Sequence, residues 1–127
     1  MTSSSRPWSP IEIEVKLRQN IEELEEAVTL QKALAETYAA AEHDYKLTSA
    51  RAWLEARTKP ELKSEKIREA WVYLQIGERR LKRDIAQGQL DAQKNVVRTL
   101  TSTGEQLRSL ARSSRDMTDG PGWGNQG

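Results

Sequence analysis

The chain has 127 residues, of which 36% are hydrophobic and 31% charged, and its formal net charge is +1. Ordinary globular domains are roughly 45–50% apolar, so this chain has the material for a thin buried seam rather than a thick core. It has no Cys and one His, which excludes disulfide scaffolds, thiol catalysis and Cys/His zinc sites.

Residues 1–9 are rich in Ser and Pro, which predicts a flexible N-terminal tail. Ser9-Pro10-Ile11-Glu12 has the pattern of a capping box, with Pro at the first helical position. Residues 11–17 alternate with period two, as in a strand, but an isolated strand would have nothing to pair with. Apolar residues then continue at helical spacing, and we therefore predict a first helix over about 10–57.

Thr58-Lys59-Pro60-Glu61 repeats the capping-box pattern and predicts a second helix over about 60–100. Small and β-branched residues cluster at 101–104, which favours a break there, followed by a short helix over about 104–115. Residues 116–127 are rich in Gly and predict a flexible C-terminal tail.

The predicted fold is all-α, either an elongated helical hairpin or a set of broken long helices. A helix over 10–57 would be about 70 Å long, whereas a compact domain of this size has a radius of gyration of about 14 Å. One hairpin seam leaves apolar residues uncovered, so we expect a homo-oligomeric bundle or ring. A heptad frame through Leu17, Ile21, Leu24 and Val28 places polar residues such as Gln31 at core positions. This irregular register favours a bundle or ring over a long coiled coil.

Little in the sequence indicates catalysis. The single histidine, His43, stands between Glu42 and Asp44, but neighbours on a helix point away from each other and cannot form a catalytic pair. No phosphate-binding loop, nucleophile elbow or metalloprotease motif is present. We expect a protein without enzymatic activity or cofactor. No apolar run approaches the roughly 20 residues of a membrane span, and we expect location in the cytoplasm, that of the host if the protein is phage-encoded.

Charge is distributed unevenly along the chain. Residues 1–45 contain nine acids and four bases, for a net −5, whereas residues 46–127 contain sixteen bases and ten acids, for a net +6. A basic region of this kind is typical of a surface that faces nucleic acid or a membrane.

The basic residues are interleaved with aromatic ones around the predicted hairpin end. Lys and Arg neutralise phosphates while aromatic faces stack on bases, which is how single-stranded nucleic acid is held. Trp71 lies on the apolar stripe and is expected in the core, whereas Trp53 and Tyr73 are open to either role. The candidate binding residues are Lys46, Arg51, Trp53, Arg57, Lys63, Lys66, Arg68, Arg79, Arg80, Lys82, Arg83 and, nearer the C-terminus, Arg108.

The chain also resembles a known family. Tyr45-Lys46, the segment from Ser49 to Ala56 and Leu107-Arg108-Ser109-Leu110 are similar to the UvsY-like small helical recombination mediators of tailed phages, over about Ala35 to Arg115. The resemblance implies an all-helical, ring-forming oligomer that binds single-stranded DNA. It further implies that the protein displaces a single-strand-binding protein and loads a RecA-like recombinase.

The family's DNA-contacting Lys-x-Arg motif would fall on Ser49-Ala50-Arg51, where the arginine matches and the lysine does not. Lys46 is five residues before Arg51 and about 140° away around a helix. The sequence therefore predicts a non-enzymatic, homo-oligomeric single-stranded DNA-binding protein. The alternative is a phage structural or assembly protein, such as a scaffold, chaperone or adaptor, whose amphipathic helices bind other proteins.

Overall fold

A computed structural model describes residues 8–118, and within that range the protein consists of two α-helices and no strand. Helix α1 spans Pro10–Thr58 and helix α2 spans Glu65–Thr118. The all-α prediction is confirmed. The predicted tails lie largely outside the described residues. Residues 8 and 9 of the N-terminal tail are described, and residues 116–118 of the C-terminal tail belong to α2.

The chain divides into two units. The first unit combines the chain up to Thr29 with the chain from Asn95 onward, and the second unit is Leu30–Lys94. In each unit a segment of α1 packs against an antiparallel segment of α2. In the first, the side chain of Asn20 reaches the backbone of Leu100, and the second is a helical hairpin in which residues 35 positions apart form an ion pair.

The start of α1 is capped as the sequence predicts. The Glu12 amide donates to Ser9 Oγ at 3.2 Å, and the Ser9 amide donates to the Glu12 carboxylate at 3.2 Å. These two bonds satisfy backbone donors that have no partner inside the helix. Ser9 is therefore the N-cap, and the helix begins at Pro10.

The predicted second capping box at residues 58–61 is wrong. The Thr58 hydroxyl donates to the carbonyl of Glu55 at 2.7 Å, so it closes α1 instead of opening α2. Backbone bonds from Leu62 to Lys59 and from Lys59 to Ala56 form a turn that carries Leu62 into the core. Helix α2 consequently starts at Glu65, with Ser64 Oγ accepting the Ile67 amide at 3.2 Å.

The predicted break at residues 101–104 is also wrong, because α2 is continuous to Thr118. The Thr101 hydroxyl donates to the carbonyl of Val97 at 2.8 Å, which satisfies the hydroxyl without unwinding the helix. Gly104 is buried, and a Cβ placed on it would lie 2.5 Å from Asn20 Oδ1. The glycine therefore permits close approach of two helical segments and does not mark a helix end.

The buried positions define a heptad register different from the one predicted. Leu17, Leu24 and Gln31 of the predicted frame are half-buried, but its positions at Ile21 and Val28 are wrong, since those side chains are 50% and 40% exposed. Helical residues three and four apart share a face, and the buried or half-buried residues follow that spacing. In the first unit they are Ile13, Leu17, Asn20, Leu24 and Ala27 with Leu100, Gly104, Leu107 and Ala111, and in the second unit they are Leu34, Tyr38, Ala41, Tyr45, Thr48, Ala52 and Ala56 with Val72, Ile76, Arg83, Ala86 and Leu90.

We call these residues the seam. Small residues at many of its positions allow the two helices to approach each other closely. In the second unit a core cluster of Ala52, Ala56, Leu62, Val72 and Ile76 closes the end of the hairpin, and Tyr45, Trp53 and Trp71 pack against it. The expectation that Trp71 belongs to the core is confirmed, and Trp53 joins it there.

Asn20 is the polar residue of the seam in the first unit. Its side-chain amide donates to the carbonyl of Leu100 at 2.9 Å, and only 6% of its surface is exposed.

Gly104→Ala would push a methyl group against this amide. Inside a helix Ala is more favourable than Gly by about 1 kcal/mol, but we expect the clash to outweigh this gain and the free energy of unfolding to fall by about 1–2 kcal/mol.

In the Asn20→Ala background the obstruction is removed, so the same Gly104→Ala change should stabilise the protein by about 1 kcal/mol. Urea unfolding of the four variants checks this reversal of sign. An equal effect of Gly104→Ala in both backgrounds would contradict the packing described for Asn20.

Candidate nucleic-acid interface

The seam of the second unit divides the remaining surface of its two helices into two flanks. Residues that directly follow a seam position lie on one side of an antiparallel helix pair, and residues that directly precede it lie on the other. Lys46 follows Tyr45, and Tyr73 follows Val72, so both belong to the same flank. Asp44 precedes Tyr45 and faces the opposite way.

Four cations and two aromatic residues occupy the flank that follows the seam, which also carries the carboxylates of Glu42 and Asp84 beside Arg83. Lys46, Trp53 and Arg57 are seven and four residues apart on α1, and Lys66, Tyr73 and Arg80 are seven residues apart on α2. Each set falls within about 40° of helix circumference at 100° per residue. We call this surface the cationic flank: Lys46, Trp53, Arg57, Lys66, Tyr73 and Arg80.

Two cation–aromatic pairs lie on the cationic flank, one on each helix. The Arg57 guanidinium is 5.9 Å from the Trp53 ring centroid, and the Arg80 guanidinium is 5.6 Å from the Tyr73 ring centroid. Such contacts hold the arginine heads beside the rings while leaving their N–H donors available. Tyr73 is 58% exposed, so one face of its ring is accessible for stacking.

The cations of this flank are nearly free of acidic partners. Among the described residues, Arg57, Lys66 and Arg80 have no carboxylate within ion-pair distance, and Lys46 is paired with Glu42 at 3.3 Å. A cation without an internal partner can neutralise a phosphate without first losing a carboxylate.

The opposite flank is different, because its charges largely neutralise each other. Arg79 pairs with Asp44 at 3.1 Å across the two helices, and Arg68 pairs with Glu65 at 3.1 Å. Two more of the candidate residues, Arg51 and Lys82, also lie on this side and are exposed. The structure therefore does not bring Arg51, Arg68, Arg79 and Lys82 together with the cationic flank.

Arg83 lies in the seam, and contacts within the hairpin hold its side chain. Its guanidinium is 4.2 Å from the Tyr45 ring centroid, 2.8 Å from the Asp84 carboxylate and 3.9 Å from that of Glu42. The hydrogen bonds that the guanidinium donates to Asp84 raise the pKa of Arg83. Arg83 thus stabilises the pairing of the two helices, and its side chain is committed to its own chain.

The two remaining candidates are elsewhere. Lys63 is exposed in the turn between the helices. Arg108 is exposed in the first unit, and its guanidinium lies beside Gly104. The sequence left open whether Tyr73 belongs to the core or to the binding surface. Its seven-residue spacing from Lys66 and Arg80 could have indicated that the three residues share one face of α2.

A hydrogen-bonded group borders Lys46. The Tyr38 hydroxyl donates to the Glu42 carboxylate at 2.9 Å, which lowers the pKa of Glu42 and raises that of Tyr38. Lys46 and Arg83 add further positive charge near the same carboxylate. Glu42 is therefore ionised at neutral pH and fixed in position by the neighbouring groups.

Among residues 8–118, no group of three His, Cys, Asp or Glu side chains is arranged to hold a metal ion. Neither described helix has a stretch apolar and long enough to cross a membrane.

Comparison with models of known families, with curated proteins and with solved structures gives no match. The resemblance to UvsY-like mediators therefore stays a prediction.

The hydrogen bond from Tyr38 to Glu42 makes the stability of the fold depend on pH. Since the folded-state pKa of Glu42 lies below its usual 4.5, its contribution to stability is present above about pH 4.5 and is lost as pH falls through the folded-state pKa. Tyr38→Phe removes the main cause of the shift. We expect the Glu42 titration midpoint, followed by NMR of its side-chain carboxyl carbon, to move up towards 4.5.

Tyr73→Phe is the matched control, because no carboxylate in the described part of the chain accepts a hydrogen bond from Tyr73. It should leave the Glu42 midpoint in place. A midpoint that is unchanged in Tyr38→Phe would show that this hydrogen bond does not set the ionisation of Glu42.

Proposed function

We propose that this protein is a non-enzymatic single-stranded DNA-binding protein that holds the strand along the cationic flank. The observation that carries the proposal is the combination, on one side of the hairpin, of three cations without acidic partners and an exposed tyrosine. Both components of single-strand binding, phosphate neutralisation and base stacking, are available on that surface.

The spacing of the groups supports a strand that runs along the helices. Along the axis of α2, Lys66, Tyr73 and Arg80 follow one another at intervals of about 10 Å. Arg57 and Trp53 form a parallel row on α1. Phosphate contacts alternate with an aromatic surface, which gives affinity without dependence on base sequence. On the opposite flank, Asp44 and Glu65 already pair with arginines, which leaves fewer cations available to a phosphate backbone.

The wider role follows from the family resemblance. We propose that the protein acts as a homo-oligomer in recombination, as an accessory protein that helps a RecA-like recombinase replace a single-strand-binding protein on DNA, in the cytoplasm of the cell in which it is made. The net −5 of residues 1–45 supplies an acidic surface for a protein partner.

A second candidate function has support from a separate observation. Large apolar side chains on α1, including Leu47 and Leu54, are exposed, and exposed apolar surface of this kind marks protein–protein contact. A phage assembly protein, such as a scaffold, chaperone or adaptor, would use these residues to bind another protein and would show no affinity for DNA.

Three charge-removing substitutions on the cationic flank test the DNA proposal: Arg57→Gln, Lys66→Gln and Arg80→Gln together. Removing three phosphate contacts should reduce the slope of log affinity against log salt by about 2, because each contact contributes about 0.7 for single strands. Fluorescence anisotropy with a labelled oligothymidine at several salt concentrations between about 50 and 200 mM measures both affinity and slope.

The matched control is Arg51→Gln, Arg68→Gln and Arg79→Gln, which removes the same charge from the opposite flank. It should keep most of the salt slope and lose affinity only through the general change in net charge. Equal losses in the two triple variants would contradict the cationic flank as the binding surface. Absence of binding by the unaltered protein at about 50 mM salt would reject DNA binding and favour the assembly protein.

A further inference from the structure

Helix α2 has a second apolar face in the second unit, on the side directly away from the seam. Ile67, Leu74 and Leu81 are seven residues apart, and Ile85 follows four residues later, so all four lie within about 40° of each other on the helix. They are 47%, 77%, 61% and 53% exposed. We call this surface the back face and include in it the small residues interspersed among these four: Ala70, Gly77, Gly88 and Ala92.

The glycines of the back face have no explanation within the chain. A Cβ on Gly77 or Gly88 would meet nothing within 4 Å, and no glycine in the described residues has a positive φ. A helix-interior glycine costs about 1 kcal/mol relative to Ala. Gly104, by contrast, is explained by the side chain that packs on it. Gly77 and Gly88 are therefore open depressions beside exposed leucines and isoleucines.

On the back face, large residues and glycines occupy matching distances on the two sides of Leu81. Leu74 and Gly88 are each seven residues from Leu81, and Gly77 and Ile85 are each four residues from it. Two antiparallel copies with a two-fold axis at Leu81 would therefore set Leu74 opposite Gly88 and Ile85 opposite Gly77, with Leu81 against its own copy. A parallel arrangement would instead set glycine against glycine and leave voids.

The charges that border the back face fit the same arrangement. Glu78 and Lys82 lie along one edge of it, and neither has an ion-pair partner among the described residues. With the axis at Leu81, Glu78 of one copy and Lys82 of the other come onto the same side with an axial offset of about 3 Å. Their side chains are long enough to form two symmetry-related ion pairs.

We propose that the back face of α2 binds the back face of a second copy of this chain, antiparallel, with Leu81 at the two-fold axis. This contact is the interface of the homo-oligomer that the proposed function includes. It rests on the proposed function only in that respect and does not depend on DNA binding. Ile85 fills the depression at Gly77 and Leu74 fills the one at Gly88, and the Glu78–Lys82 pairs fix the register.

Sedimentation equilibrium of the full chain without DNA tests the interface. We expect a concentration-dependent dimer or a larger even-numbered assembly, and Leu81→Lys should raise the dissociation constant at least about ten-fold, since it brings two lysines together at the axis. Leu54→Lys on α1 is the control, because Leu54 is 66% exposed and lies outside the back face. It should change the dissociation constant by less than about two-fold.

Charge exchange tests the register independently of any effect on folding. Glu78→Lys alone and Lys82→Glu alone should each weaken association, and the double variant should restore it, with circular dichroism confirming that each variant is helical. A monomer at every concentration, equal effects of Leu81→Lys and Leu54→Lys, or a double variant weaker than both single ones would overturn the proposal.

This experiment and the DNA experiment fail separately. Loss of the dimer with intact oligothymidine binding would reject the back-face interface and leave the cationic flank in place. An intact dimer without affinity for DNA would reject the proposed function and leave the interface.

Discussion

The organisation of each unit depends on the packing of antiparallel segments of α1 and α2 along the seam, where small residues are frequent. Ala41, Ala52 and Ala56 are nearly inaccessible on α1, and their size lets the facing segment of α2 approach closely in the second unit. Once the seam is fixed, every other residue of the hairpin is assigned to a flank by its position in the heptad. The distribution of the basic residues between the two flanks follows from this geometry.

Much of the fold could be predicted from the sequence because the signals were local. The capping box at Ser9 and Glu12, the helical composition and the turn near Pro60 depend on neighbouring residues, and the structure confirms all three. The errors concerned tertiary contacts. Gly104 resembles a helix break until Asn20 is known to pack against it, and Ser64 replaces Thr58 as the cap of α2 because Leu62 must reach the core.

The candidate interface was less predictable, because it depends on the register of the seam. A frame through Ile21 and Val28 gives the wrong face, since apolar size does not reveal that Asn20 and Ala27 are buried instead. Twelve nucleic-acid-binding residues were predicted from the sequence, and the structure places them on two flanks, in the seam, in the turn and in the first unit. The carboxylates that Arg79 and Arg83 meet on the other helix, Asp44 and Glu42, are distant in sequence, so no local pattern identifies them.

The central claim is that single-stranded DNA contacts one flank of the hairpin and not the other. The two tryptophans packed on the core cluster provide the most direct test, because Trp53 belongs to the cationic flank and Trp71 lies on the opposite side, beneath Lys59 at 5.4 Å. In an NMR titration with oligothymidine, we expect the Trp53 indole N–H signal to shift progressively while the Trp71 signal stays in place. A shift of Trp71 without one of Trp53, or no shift of either signal, would contradict binding of the strand to the cationic flank.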